Sequence, residues 1–160
     1  MKKQKSIGNK GFSLVELIIV IAIMAILIGV MAPQLLRYVE RTRVSADTQV
    51  ADTVRTAVTT AMLDPTVMTD ANFNTDIATF QAAGGSSVIN IGGNAFGNAV
   101  AETLGETGGT AITAAWVAEQ LTSDDATDIT VEIIGTNNVR VTITGSHADA
   151  NGGADPITVE

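Results

Sequence analysis

The sequence predicts an α+β protein: one long N-terminal helix, its first half apolar enough to lie in a membrane, packed through its second half against a small antiparallel β-sheet head. Three observations carry this. Leu17 to Ala32 contains no polar side chain, and the run extends to Leu36 with Pro33 and Gln34 as interruptions. From Gln34 to about Leu63 the pattern becomes amphipathic, at mixed three-, four- and seven-residue spacings. Residues 128–144 then alternate apolar and polar on either side of Gly135-Thr136-Asn137-Asn138.

Residues 1–11 read as a short leader. Its lysines, Lys2, Lys3, Lys5 and Lys10, favour an N-terminus left in the cytoplasm, although Arg37, Arg41 and Arg43 beyond the apolar run weaken a simple charge count. Residues 12–36 follow as the membrane or filament-core helix, since about 20 to 25 helical residues cross a hydrocarbon core about 30 Å thick. Nothing later in the chain, with its one Trp, one Tyr and four Phe, is large or aromatic enough to bury a helix that is apolar all round. The rival is an ordinary secretory signal with Val30-Met31-Ala32 as its small-residue site, but the apolar segment is long and Pro33 would follow the scissile bond. A lipoprotein signal is excluded because the chain has no cysteine.

A plain anchor has no use for Glu16. A charge at the centre of a membrane helix costs about 2.5 to 3.5 kcal/mol, and less near the interface, so an ionisable residue there is a functional candidate by default. The blander reading is that Glu16 snorkels to the interface.

Lys10-Gly11-Phe12-Ser13-Leu14-Val15-Glu16-Leu17, followed by the apolar run, resembles the cleavage and methylation motif of type IV prepilins and of the pseudopilins of type II secretion. The resemblance covers the N-terminal third and implies a pilin-like fold. It implies that a membrane prepilin peptidase cuts between Gly11 and Phe12 on the cytoplasmic side and that the new amine of Phe12 is methylated. It also implies that Glu16 of a neighbouring subunit neutralises that amine and sets axial register, and that an assembly platform with its ATPase lifts the subunit from the membrane. The chemistry suits these residues. Gly11 allows close approach of the peptide to a protease, loss of the leader removes four lysines, and an unpaired charge in a packed helical bundle would be costly. Pro33, where the family also tends to carry a proline, lacks a backbone donor and crowds the preceding turn near Gly29, so a kink or local melting is expected there.

Residues 37–63 read as the amphipathic continuation. Leu35, Val39, Ala46, Val50, Val54, Ala57 and Ala61 form its stripe, while Arg37, Glu40, Arg41, Arg43, Asp47, Asp52 and Arg55 are placed on other faces. Asp64-Pro65 ends the helix. Phe12 to Leu63 would then be a single helix of about 75 Å at about 1.5 Å per residue. The stripe lacks the strict heptads and large seam residues of a coiled coil.

Residues 64–160 shift to Thr, Asn, Asp, Ala and Gly, which fits one extracytoplasmic head of domain size. Asn72 to Ala83 reads as a short helix closed by Gly84-Gly85, with Phe73, Ile77 and Phe80 on one face. Gly85 to Asn98 reads as loop. Thr110 or Thr113 is expected to cap a helix carrying Ala114, Trp116, Val117 and Leu121, with Trp116 as a packing anchor. The alternating segments 128–134 and 139–144 form a hairpin, with Ile129, Val131, Ile133, Val139, Val141 and Ile143 facing the helix and Thr130, Glu132, Arg140 and Thr142 facing solvent. Glu132 and Arg140 are placed to pair across it, and Ile157-Thr158-Val159 to add a third strand.

Without the leader the chain has five basic side chains against seventeen acidic, a balance of minus 12. Nucleic acid is not an expected partner, because backbone binding needs clustered Lys and Arg. An acidic, Thr-rich face keeps an extracellular filament soluble. Asp149, Asn151, Asp155 and Glu160 loosely echo positions one, three, seven and twelve of a calcium loop. The match is poor, since Ala154 stands at the turn glycine, and a solvated turn is the alternative; some secretion pseudopilins hold calcium in this region. Asp124, Asp125 and Asp128 form a second acidic cluster. No other cofactor is implied.

The missing cysteines remove the disulfide-bounded C-terminal loop of many pilins, a departure that favours a Gram-positive-type pilin or a pseudopilin. No catalytic set emerges. His147 lies too close to Ser146 and Asp149 along one loop for a triad, and Gly92 to Gly97 lacks the Lys of a phosphate cradle. The expected function is therefore not enzymatic: a structural subunit of a type IV pilus-like filament, membrane-held before assembly and at the cell surface after it. The alternatives are a pseudopilin of a type II secretion or DNA-uptake system and a membrane-anchored binding protein that never polymerises.

Overall fold

The computed structural model describes residues 11–86, 94–106, 116, 119–122, 126–135, 137–148 and 154–160. In chain order these form α1 (Leu14–Leu63), α2 (Pro65–Met68), α3 (Phe73–Gln81), α4 (Ala95–Thr103), β1 (Ala126–Ile134), β2 (Asn138–Ala148) and β3 (Ala154–Val159). The class is α+β, as the sequence predicts. Two compact units divide at Tyr38 and Val39, and α1 is helical through that boundary.

In the first unit every described residue, Gly11 to Tyr38, is exposed. Pro33 lies inside α1 and the helix continues on both sides of it. The expected disturbance therefore takes no form of a break: losing one donor leaves the flanking hydrogen bonds of a long helix intact.

The second unit, Val39–Glu160, owns the hydrophobic core. Ala51, Val54, Ala57, Val58, Ala61 and Met62 form a buried seam on α1, with steps of three and four residues that keep one face inward. Val54, Ala57 and Ala61 belong to the predicted stripe; Ala46 and Val50 are half-buried, and Val39 is exposed. The alanines leave room for larger partners across the core, among them Phe80, Phe96, Ile129 and Ile143.

Asp64 ends α1 and starts α2. Its carboxylate accepts from the backbone N–H of Thr66 at 2.7 Å with Pro65 next in the chain, a cap and a pre-set first residue in two positions. α3 keeps the predicted face, with Phe80 buried and Phe73 and Ile77 half-buried. Residues 87–93 lie outside the described residues, and α4 corrects the end of the loop expected over 85–98, since residues 95–98 are helical. Gly97 and Asn98 disguise its period, yet Phe96, Gly97, Val100 and Ala101 are all buried, and Phe96 meets Phe80 with ring centroids 5.7 Å apart. Of the predicted Trp116 helix, Trp116, Glu119 and Gln120 are helical; Thr110, Thr113, Ala114 and Val117 lie outside the described residues.

The sheet has the order β1-β2-β3, antiparallel throughout. Ile129 pairs with Ile143, Val131 with Val141 and Ile133 with Val139. All six are buried, so the period-two reading and its register hold. Glu132 and Arg140 are partners across β1 and β2, with Nη1 3.2 Å from Oε2. β3 carries Ile157 and Val159 as half-buried residues and Pro156 between its ends. On the other side of the sheet, Ser86 makes an isolated antiparallel bridge to Val131, each N–H donating to the other's carbonyl at 2.9 Å.

Two carboxylates depart from the expected surface placement. Asp47, placed by its charge on an outer face of α1, is fully buried. Its Oδ1 accepts from the Thr122 N–H at 2.7 Å and from the Thr122 hydroxyl at 3.0 Å, which fastens the end of the Trp116 region to the helix. Hydrogen bonding is what makes burying such a group tolerable. Arg55 is likewise turned to a structural use, donating through Nε to the Val139 carbonyl at 3.1 Å. Asp76, buried in α3, accepts from the Asn94 side-chain amide at 3.1 Å. Burial pushes its carboxyl above the ordinary 3.8; the Asn94 bond opposes that shift and the nearby Asp70 charge adds to it.

Between 3.8 and that raised value the folded chain holds a proton the unfolded chain has lost, so this group's contribution to stability falls as pH rises through the window. Asp76→Asn keeps an oxygen for Asn94 and removes the charge. Its melting temperature is expected to exceed that of the wild type at pH 7, with the gain shrinking below pH 3.8; an unchanged gap across this range would contradict the assignment. Gly85 has φ +67° and a Cβ there would lie 2.4 Å from the Val131 carbonyl oxygen. Gly85→Ala should cost about 2 kcal/mol or more, measured by urea unfolding of the full chain in detergent with Trp116 emission as the probe.

Candidate functional site

The candidate site is the N-terminal stretch of the first unit. Gly11, Phe12 and Ser13 precede the first helical residue, Leu14. Ser13-Leu14-Val15-Glu16 has the spacing of a capping box, in which a residue at the third helical position reaches back to the N-terminal boundary. The Ser13 N–H donates to Glu16 Oε2 at 2.9 Å, and the Ser13 carbonyl accepts from the Leu17 N–H at 3.2 Å. Glu16 therefore has a local structural use that its isolation in an apolar run does not reveal. A carboxylate is also favoured in the first turn by the helix dipole.

Beyond Glu16 the side chains from Leu17 to Leu36 find no cover among the described residues. Leu17, Ile18, Ile19, Val20 and Ile21 each expose more than half of their surface, as do Ile26, Leu27, Ile28, Leu35 and Leu36. α1 is long and apolar enough to cross a membrane. From Leu14 to Leu36 the helix rises about 35 Å at about 1.5 Å per residue, more than a hydrocarbon core about 30 Å thick.

Gly11 and Phe12 adjoin at the solvent-exposed start, with Phe12 91% exposed. A Cβ on Gly11 would meet nothing within 4 Å, and Gly11 is not among the glycines with positive φ. The chain's own fold thus makes no demand for glycine at this position.

The prokaryotic N-terminal methylation motif matches residues 8–32, the stretch that contains Gly11, Phe12, Glu16 and most of the exposed apolar helix. Over this stretch the chain is similar to type IV pilins. Two type IV major fimbrial proteins FimA of Dichelobacter nodosus are 43% and 44% identical to the chain over 56 residues. The match spans 35% of this chain, and 36% and 35% of the respective relatives, so the chain covers about a third of the length of the curated relatives it matches. No solved structure matches. The methylation motif thus lies on the segment that is apolar and exposed.

The suggested calcium ligands are not assembled by the described structure. Asp149 and Asn151 lie outside the described residues, as do Asp124 and Asp125 of the second cluster. Asp155 is in β3, paired in register with His147. Glu160, at the end of β3, is engaged by the Arg140 guanidinium, and Asp128 accepts from the Ile129 N–H at 2.8 Å. Among the described residues no three His, Asp or Glu side chains gather as a metal site. Residues 154–159 are strand, whereas a calcium loop of the suggested spacing would need them to curl around the ion.

Because a cap of this kind is worth about 0.5 to 2 kcal/mol, its loss is measurable. In the full chain in micelles the Ser13 amide should be protected from hydrogen exchange, Glu16→Leu should remove that protection, and Glu16→Gln should keep much of it. Equal protection in all three would show that Glu16 does not cap α1.

Proposed function

We propose that this chain is a structural subunit of a type IV pilus-like filament and has no enzymatic role. The observation that carries the reading is one coincidence: the methylation motif over residues 8–32 lies on a helix whose apolar surface is exposed from Leu14 to Leu36 and whose first turn holds a carboxylate, Glu16. Exposed apolar surface on this scale demands a partner. Lipid meets that demand before assembly, and the same helices of other copies meet it afterwards.

In this reading a prepilin peptidase in the cytoplasmic membrane cuts between Gly11 and Phe12 and the Phe12 amine is methylated. Gly11 is small for the protease, which accounts for a glycine the fold itself does not require. The subunit is then a single-pass protein of the inner membrane until the platform and its ATPase move it into a surface filament. Glu16 exchanges its Ser13 contact for the Phe12 ammonium of a neighbouring copy, where a low-dielectric bundle strengthens the pairing of opposite charges. The likeness to major fimbrial proteins supports the same conclusion.

The test is mass spectrometry of filaments sheared from the native cells. All four lysines lie in the leader, so trypsin releases the mature N-terminus as the single peptide Phe12 to Arg37, which should carry an N-methyl group. An intact leader in sheared material would sink the reading. Glu16→Leu and Glu16→Gln should both be cleaved and both fail to assemble, since neither retains the charge. Assembly of Glu16→Gln at the wild-type level would assign Glu16 to capping alone.

A further inference from the structure

A groove of about 430 Å³ runs beside α1 in the second unit, with Gln49, Val50 and Val54 along the helix and Glu106, Trp116 and Gln120 across from them. Val54 is buried and Val50 half-buried, so the floor is apolar. The Trp116 indole donates through Nε1 to Glu106 Oε1 at 3.1 Å, which holds an aromatic ring and a carboxylate side by side. Oε2 of Glu106 accepts no hydrogen bond from a described residue. A flat cation suits this arrangement: a guanidinium stacks on an aromatic ring and gives two N–H donors to a carboxylate, and is less strongly hydrated than an ammonium.

The chain itself supplies such a cation. No lysine follows Lys10, and the arginines are Arg37, Arg41, Arg43, Arg55 and Arg140. Arg55 is bound to the Val139 carbonyl, Arg140 to Glu132 and Glu160, and Arg43 lies 3.7 Å from Glu40. Arg37 and Arg41 are exposed, and their guanidinium groups have no ion-pair or hydrogen-bond partner among the described residues. Arg37 stands beside Leu35 and Leu36 at the end of the apolar segment, whereas Arg41 belongs to the head unit. Copies with a side-chain balance of minus 12 repel one another at close range. An association that succeeds must use its few free cations well.

We infer that Arg41 of one copy seats in the Trp116–Glu106 groove of a neighbouring copy when subunits associate. This rests on the filament reading, to which it adds a contact between heads. The guanidinium lies against the indole and pairs with Glu106, and the side-chain amides of Gln49 and Gln120 offer further oxygens at the rim. Val50, Val54 and the indole shield one side of the pair from water, which strengthens it relative to an ion pair in open solvent.

The test is a charge exchange in the full chain, expressed in the native cells, with sheared filament measured against processed subunit in the membrane. Arg41→Glu and Glu106→Arg should each lower the filament yield by about tenfold or more, and the double variant should restore it. Melting temperatures of the variants, measured in detergent, should remain near that of the wild type, which separates a lost contact from a lost fold. Trp116 is the only tryptophan, so its emission should differ between wild-type filaments and detergent-dissolved subunits. Filaments that do form from Arg41→Ala should lack that difference. Single variants that assemble normally, or a folded double variant that stays defective, would overturn the pairing while leaving the filament reading intact. Absence of the wild-type chain from sheared filaments would overturn both.

Discussion

The apolar side chains of α1 between Leu14 and Leu36 are exposed and have no cover among the described residues, and this unmet need governs the protein. Water is the one environment in which such a surface is costly along its whole length. A lipid bilayer and a bundle of like helices both remove the cost, and a helix can move from one to the other without changing its backbone hydrogen bonds, all of which are internal. Pro33 does not disturb this, since α1 is continuous through it. Glu16 is the exception to the apolar surface, and its bond to the Ser13 N–H gives the carboxylate a partner while the chain stands alone.

The head solves a different problem with the second part of the same helix. There are no cysteines to staple it, so the unit is held by a close-packed seam and by long-range polar ties. The small residues Ala51, Ala57 and Ala61 of α1 share one buried cluster with residues of the sheet and α3, and Phe80 of α3 meets Phe96 of α4. Asp47 fixes Thr122, Arg55 fixes the start of β2, and Arg140 gathers Glu132 with the chain's last residue. Buried or half-buried polar bonds of this kind contribute little net energy when made, yet cost much when one partner is removed. They specify one arrangement more than they add to its stability.

Much of this was legible in the sequence wherever one strong period acted alone. The membrane-length helix, its end at Asp64-Pro65, the α3 face and the pairing of β1 with β2 from Ile129–Ile143 to Ile133–Val139 follow from spacing, because burial on one side leaves a repeating trace. Two kinds of feature escaped. α4 escaped because Gly97 and Asn98 interrupt its apolar pattern, although packing made Gly97 an asset. Asp47 escaped because charge is normally a signal of exposure, and its partner Thr122 lies far along the chain. The Ser13–Glu16 cap was readable from its S-x-x-E spacing but was obscured by the more conspicuous presence of a charge in an apolar run. Much of the stretch between α4 and β1 lies beyond the described residues, so the sequence remains the only guide to Thr110 and Thr113.

The two margins of the sheet have a consequence for what happens when copies of the chain are crowded together. An unpaired strand edge is a template on which any other extended segment can add itself. Here one margin is bridged by Ser86 at Val131, and the other strand carries Pro156, which has no N–H to offer. Both features discourage growth of the sheet from copy to copy. Crowded copies of the chain are thereby steered away from amyloid-like stacking.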